Sequence, residues 1–261
     1  MIRLLFVGDV FGSPGRRCLE TLLPGLRRRL GADLVVVNAE NAAGGLGVND
    51  RQAREMFLQG VDVITTGNHV WKQRDLLPLL NSEPHLLRPA NYPEGSPGQG
   101  HVRARLKSGL EVAIVNLEGR TFMSSLDCPF ATLEALLCGP LKGAAVVCVD
   151  MHAEATSEKQ ALAWHFDGRV SAVLGTHTHV QTADERILPQ GTAFITDLGM
   201  TGPQESVIGM EPAAAISRFL SQRPQKFQVA KRDPWLHGAL VTVDEVTGRA
   251  ESIVRVREQL R

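Results

Sequence analysis

Apolar residues along the chain follow two rhythms. Short continuous runs occur at RLLFVG (3–8), DLVVVN (33–38), VDVITT (61–66), AAVVCVD (144–150), VSAVLG (170–175) and TAFITDLG (192–199). Runs of this length without polar alternation read as strands covered on both faces. Between them the spacing turns helical. Leu19, Leu22, Leu23, Leu26 and Leu30 fall on one face, and the pattern predicts a helix with Ser13 as N-cap, Pro14 at the first helical position and Gly31 at the stop. Asn49 is the expected cap of a second helix that runs through Leu58 and halts at Gly60, and a third is expected near 156–166. Strands alternating with helices predict an α/β protein with parallel strands and right-handed crossovers.

Two regions depart from that rhythm. The stretch RPANYPEGSPGQGH (88–101) is dense in Pro and Gly and reads as loop. HVRARL and EVAIVN follow, joined by Lys107-Ser108-Gly109, and predict a hairpin. The C-terminal GALVTVDEVTGRAESIVRVRE predicts two antiparallel strands about Thr247-Gly248. The expectation is one domain over 1–261, with a hairpin excursion at 92–128 and a smaller one near 200–212.

Composition narrows the function classes. The 261 residues are 43% hydrophobic and 21% charged, which excludes wholesale disorder. Lys plus Arg and Asp plus Glu both number 28, for zero formal net charge. That balance argues against sequence-blind binding to duplex DNA and leaves room for a small phosphorylated substrate. No apolar run approaches the ~18–20 residues that span a bilayer. Gly8-Asp9 interrupts the N-terminal run too early for a signal peptide. The four cysteines (Cys18, Cys128, Cys138, Cys148) contain no CxxC pair. They are expected to be free thiols, with Cys18 and Cys148 buried, in a cytoplasmic protein.

The candidate chemistry lies where the apolar runs end. The runs are followed by Gly8-Asp9, by Asn38-Ala39-Glu40-Asn41, by Gly67-Asn68-His69, by Asp150-Met151-His152 and by Gly175-Thr176-His177-Thr178-His179. In open α/β sheets ligands bind beyond the carboxyl ends of strands, so these groups are expected at one sheet edge. Imidazoles with carboxylate and amide oxygens, and no nearby thiol, suit Fe, Mn, Zn or Co. Seven candidate ligands exceed one tetrahedral ion. They suit two ions about 3.5–4 Å apart, a geometry used on phosphate esters, and Glu40 has two oxygens with which to bridge them. Blander readings exist for single residues. Asp9 alone reads as a helix cap, Asn41 as a turn residue in a Gly-rich loop, and a lone His152 as structural; His69 beside Asn68 also reads as a ligand. His85, His101, His165 and His237 are expected to be surface or structural. Asp150 and Asp197 are candidates for orienting a ligand imidazole, and Arg16, Arg88 and Arg120 for touching phosphate. GDVFGSPG matches neither GxxxxGK[ST] nor GxGxxG, so a nucleotide-loop reading fails.

Taken together, GDVFGSPGR, NAENAAGG, TTGNHVW, DMHAE, GTHTHVQTAD and TDLGMTGP resemble, in order, the motifs of the YmdB-like branch of the calcineurin-like metallophosphoesterases. Phe11 stands where the broader superfamily has the His of D-x-H, and NAEN replaces its GDxxD. The resemblance implies an α/β fold of two mixed β-sheets packed as a sandwich and flanked by helices. It implies Asp9, Glu40, Asn41 and His179 on one metal, and Glu40 as bridge with Asn68, His152 and His177 on the other. His69 would be the general acid. It implies two divalent or mixed-valence ions, iron first and manganese next. The expected activity is hydrolysis of small phosphodiesters, notably 2′,3′-cyclic nucleotides, by a hydroxide held between the ions. An RNA end carries the same phosphate and is an alternative substrate, and a homo-oligomer is left open. The competing expectations are a metal hydrolase acting on a non-phosphate bond and a regulatory or RNA-associated protein with a weakly active metal site.

Overall fold

A computed structural model describes residues 1–226 and 228–261. Its strands form two six-stranded sheets. The first contains β1 (Ile2–Val7), β2 (Leu34–Asn38), β3 (Val63–Thr65), β10 (Gly202–Pro203), β11 (Pro234–Val243) and β12 (Ala250–Gln259). Its order is β10-β11-β1-β2-β3, with β12 also on β11. The second contains β4 (His101–Arg105), β5 (Glu111–Glu118), β6 (Val146–His152), β7 (Ala172–Thr176), β8 (Arg186–Ile187) and β9 (Ala193–Ile195), in the order β4-β5-β6-β7-β9-β8. Both sheets are mixed. β1, β2 and β3 run parallel, as do β5, β6, β7 and β9, while β11 is antiparallel to β1 and β4 to β5. The helices are α1 (Gly12–Leu30), α2 (Asp50–Leu58), α3 (Leu77–Ser82), α4 (Pro129–Cys138), α5 (Thr156–His165) and α6 (Pro212–Ser221).

Alternation along each strand builds the layers, because successive side chains point to opposite faces. Leu5, Val7, Val35 and Val37 pack with Leu19, Leu23 and Leu26 of α1 and Met56 of α2. Their neighbours Leu4, Phe6, Leu34 and Val36 face the other sheet and meet Ile114, Cys148 and Leu174. Val115, Val147 and Val149 then cover Leu133 of α4 and Leu162 of α5. The order is helix, sheet, sheet, helix. Strands buried on both faces explain the continuous apolar runs.

Several boundaries differ from expectation. α1 begins at Gly12, and its N-cap is Phe11 with no capping side chain, not Ser13. Phe11 instead bridges Asn41, and its backbone N–H donates to Thr201 O, so the loops around the strand ends set the start. Asn49 and Gln52 form the reciprocal capping box of α2. The hairpin at 101–118 is not an excursion: β4 and β5 continue the second sheet, with Val112 to Glu118 in parallel register on Val146 to His152. The chemistry-bearing strand ends therefore belong to two sheets rather than one edge. β1, β2 and β3 end at one rim, and β6 and β7 end at the facing rim.

Candidate metal centre

The two rims converge on a cleft of about 340 Å³ lined by Phe11, Glu40, Asn41, His69, His177, His179 and several apolar groups. Each predicted residue reaches its place from a strand end. Asp9 follows β1 and is fully buried; its Oδ2 accepts the His177 backbone N–H at 3.2 Å. Glu40 follows β2 and is also fully buried; its Oε2 accepts the His69 backbone N–H at 3.0 Å. Asn41 Oδ1 lies 3.0 Å from His69 Nδ1, and Asn41 Nδ2 lies 3.1 Å from His179 Nε2. Asn68 Oδ1 is 3.0 Å from His152 Nε2, which is 3.1 Å from His177 Nδ1. All eight predicted residues are thus linked in one cluster. Donor atoms of Glu40, His152 and His177 lie within 4.8 Å of one another. A side chain at position 67 would strike His152 and Glu40, so glycine is what lets the third loop approach.

Two oxygens stand out. Asp9 Oδ1 is buried and accepts no hydrogen bond among the described residues, and the buried Glu40 Oε1 faces two imidazole nitrogens. Glu40 Oε1 lies 3.1 Å from His152 Nε2 and 3.0 Å from His69 Nδ1, and Asp9 Oδ1 lies 3.9 Å from His152 Nδ1 and from His179 Nε2. Leaving a buried carboxylate oxygen unpartnered costs far more than a typical hydrogen bond returns. These oxygens, with convergent imidazole nitrogens and amide oxygens, fit a divalent cation of the N/O-preferring kind.

The electrostatics agree. Burial alone would lower His152, but the adjacent Glu40 carboxylate overcomes it and raises the imidazole to about 9. Burial likewise opposes ionisation of Glu40, yet His152 and His69 hold it well below the usual range. Burial pushes Asp9 up to about 6, against the pull of His179 and His152. Burial, then the neighbouring His152, pushes His177 down to about 3. Two buried carboxylates demand positive charge beside them. The proton drawn onto His152 answers that demand, and a bound cation would take its place.

Comparison with known proteins decides the family. The family model of YmdB-like proteins matches residues 5–256. The chain belongs to the YmdB-like family. A Bacillus subtilis relative named 2′,3′-cyclic-nucleotide 2′-phosphodiesterase is 45% identical over 257 residues, covering 98% of this chain and 96% of that one. Two solved structures share the fold at TM-score 0.93: a hypothetical protein of Thermus thermophilus (44% identical, 99% of both chains) and a novel phosphatase of Mycoplasma pneumoniae (36% identical, 99% of this chain and 93% of that one).

In this YmdB-like chain each of the three cluster imidazoles contacts an oxygen on its outer side. His152 Nδ1 is 2.9 Å from Thr176 Oγ1, whose hydroxyl donates to Asp150 at 2.7 Å. His179 Nδ1 is 2.9 Å from the Ile208 carbonyl, and His177 Nε2 is 3.1 Å from Glu154. Such contacts fix the tautomer and leave the opposite nitrogen free to ligate. Asp150 therefore reaches His152 only through Thr176, and Asp197 touches no imidazole. Sequence reasoning passed over Glu154 and Glu118. Glu154 stands two residues past His152 in DMHAE, a spacing that was available as a signal. Glu118 pairs across the sheet with His152 and is pushed up to about 7 by burial, with Tyr92 OH donating to it at 3.2 Å; nothing local marked it. Phe11 lies against the cluster, its ring edge-on to His179 at 5.4 Å. Two of the arginines are used elsewhere. Arg88 is buried on the carbonyls of Pro89, Ser96 and Pro97, and Arg16 donates to the Ala42 carbonyl.

Proposed function

We propose that this chain is a metal-dependent phosphodiesterase that hydrolyses small phosphodiesters, 2′,3′-cyclic nucleotides first among them. The observation that carries the reading is a pair of buried carboxylate oxygens at the centre of the cluster, Asp9 Oδ1 with no hydrogen-bond donor among the described residues and Glu40 Oε1 facing the His69 and His152 imidazoles. The Bacillus subtilis relative supplies the substrate class. Asp9, Glu40, Asn41 and His179 would hold one ion, and Glu40, Asn68, His152 and His177 a second. The donor set is imidazole, carboxylate and amide without thiolate, which favours iron or manganese. Two such cations supply water activation near neutral pH and neutralise charge that builds on the phosphoryl oxygens.

The protein's own groups do the rest. Asp9 and Glu40 are the only carboxylates in the proposed ligand set, so two bound dications would leave net positive charge to attract an anionic diester. The outer contacts of His152, His177 and His179 keep their rings aimed inward. His69 Nδ1 faces Asn41 Oδ1 and Glu40 Oε1, and its Nε2 makes no hydrogen bond to any described residue. With its Nδ1–H held by these oxygens, His69 in its imidazolium form would pass the Nε2 proton to the departing ribose oxygen as a water oxygen adds to phosphorus and the P–O bond breaks. Phe11, Leu46, Ile208 and Met210 give the cleft an apolar wall against which the nucleoside would lie. An RNA 2′,3′-cyclic end presents the same phosphate and falls within the proposal. We read 1–261 as one domain because both sheets build the site, and the four free cysteines favour a reducing, cytoplasmic setting. No described helix is long and apolar enough to cross a membrane.

The test is elemental analysis of anaerobically purified protein together with turnover of 2′,3′-cyclic, 3′,5′-cyclic and linear diesters. The expected result is about two Fe or Mn per chain, following the paired-ion geometry of phosphoesterases, and fastest cleavage of the 2′,3′-cyclic substrates. Metal-loaded protein that cleaves none of them overturns the reading.

A further inference from the structure

Lys159 of α5 is fully buried, and its ammonium donates to Asp197 Oδ2 at 2.9 Å. Taking two charges out of water is unfavourable, and an apolar pair of equal volume is often as stable. The pair therefore calls for a role besides stability, and its other bonds indicate one. Asp197 Oδ2 also accepts the Thr178 backbone N–H at 3.0 Å and the Thr178 hydroxyl at 2.7 Å, and Oδ1 accepts Gly199 N–H at 2.8 Å. Backbone and side-chain bonds between Asp197 and Thr182 fasten the far end of the same loop.

Thr178 sits between His177 and His179, whose φ angles are 99° and 68°. Left-handed backbone on both sides of one residue is unfavourable for L side chains and persists only where the surroundings over-determine it. The Lys159 stem is itself confined: a Cβ at Gly175 would meet Lys159 Cδ at 2.8 Å. Neither charged group touches the donor cluster. Asp197 grips the one residue whose two neighbours both carry donor imidazoles, and Lys159 holds Asp197.

We propose that Lys159 and Asp197 are positioning residues that clamp Thr178 and thereby aim His177 and His179, an inference that rests on the metallophosphoesterase reading above. Losing the carboxylate frees Thr178 and lets both rings drift. Losing only the ammonium leaves the carboxylate buried and uncompensated.

The test compares K159M, D197L and the double variant K159M/D197L, in which no acceptor remains for Thr178. Two quantities are read: the urea midpoint, and Mn²⁺ affinity from competition with a chelator. The double variant is expected to unfold at a higher urea concentration than either single, because no lone charge remains buried. Its Mn²⁺ affinity is expected to stay roughly 10–100-fold below wild type, the usual scale for losing support behind a ligand. Wild-type affinity in the double variant overturns the inference, since the pair would then only fill space. Thr178→Val, which deletes the hydroxyl alone, keeps the inference testable if the charge variants fail to fold; an unchanged affinity there also counts against it. Wild-type protein that binds Mn²⁺ but cleaves no diester overturns the functional reading while leaving the clamp measurable.

Discussion

At the scale of single residues, proton placement and ring orientation divide the work. His69 is the one predicted imidazole with a nitrogen free of protein partners beside the cleft. His69→Ala is expected to keep full metal content and lose about 10²–10⁴-fold in kcat, the range for a general acid; metal stoichiometry and steady-state kinetics read both. Glu154 holds the outer nitrogen of His177 at 3.1 Å. Glu154→Gln is expected to weaken metal binding by roughly tenfold, at the low end for such partners because Glu154 is half exposed; chelator competition measures it. His237 is a contrasting case, buried with both ring nitrogens unpartnered among the described residues. Burial, with a smaller push from Arg257, lowers it to about 4. The unfolded chain therefore binds a proton between pH 6.5 and about 4 that the folded chain refuses, so folding stability falls as pH drops through that window. The loss reaches about 3 kcal/mol, and urea midpoints of His237→Phe against wild type at pH 7 and pH 5 are expected to show a smaller pH dependence in the variant.

At the scale of elements, strands place the chemistry and the short turns after them aim it. β1, β2, β3, β6 and β7 each stop where an apolar run stops, and that much was legible from the sequence. The loops were less so. The 67–70 turn approaches the site only because position 67 carries no Cβ, and a methyl there would collide with His152 and Glu40. Gly67→Ala is expected to abolish metal binding and cost roughly 1–3 kcal/mol, the usual penalty for overpacking, with the far-ultraviolet dichroism unchanged. The start of α1 escaped sequence reasoning for a related reason. Ser13-Pro14 is a sound local helix signal, but tertiary bonds from Phe11 and Gly12 to Thr201 and Asn41 begin the helix earlier. The 101–118 hairpin was recognised as a hairpin. Its partner was invisible, since strand pairing beyond nearest neighbours leaves no mark in local alternation.

For the whole molecule, the donor cluster lies where two sheets face each other, so a bound metal would tie both halves of the sandwich together. Chelation is expected to lower the melting temperature and Mn²⁺ to restore it in a concentration-dependent way, because the ion binds the folded state alone; calorimetry at graded Mn²⁺ checks this. The strands that lead to the cluster, helices α1, α2 and α5, the burial of strands on both faces and the eight residues that come together could be read from the linear chain, whereas α3, α4 and α6 could not. Those properties depend on local spacing and side-chain chemistry, which a sequence states directly. Which sheet each strand joins, the distances among the donors, the two buried carboxylate oxygens, the Glu154 contact and the bonds from Thr178 to Asp197 were decided by tertiary structure alone. They arise from residues far apart in the chain being pressed together, and packing of that kind has no local signature.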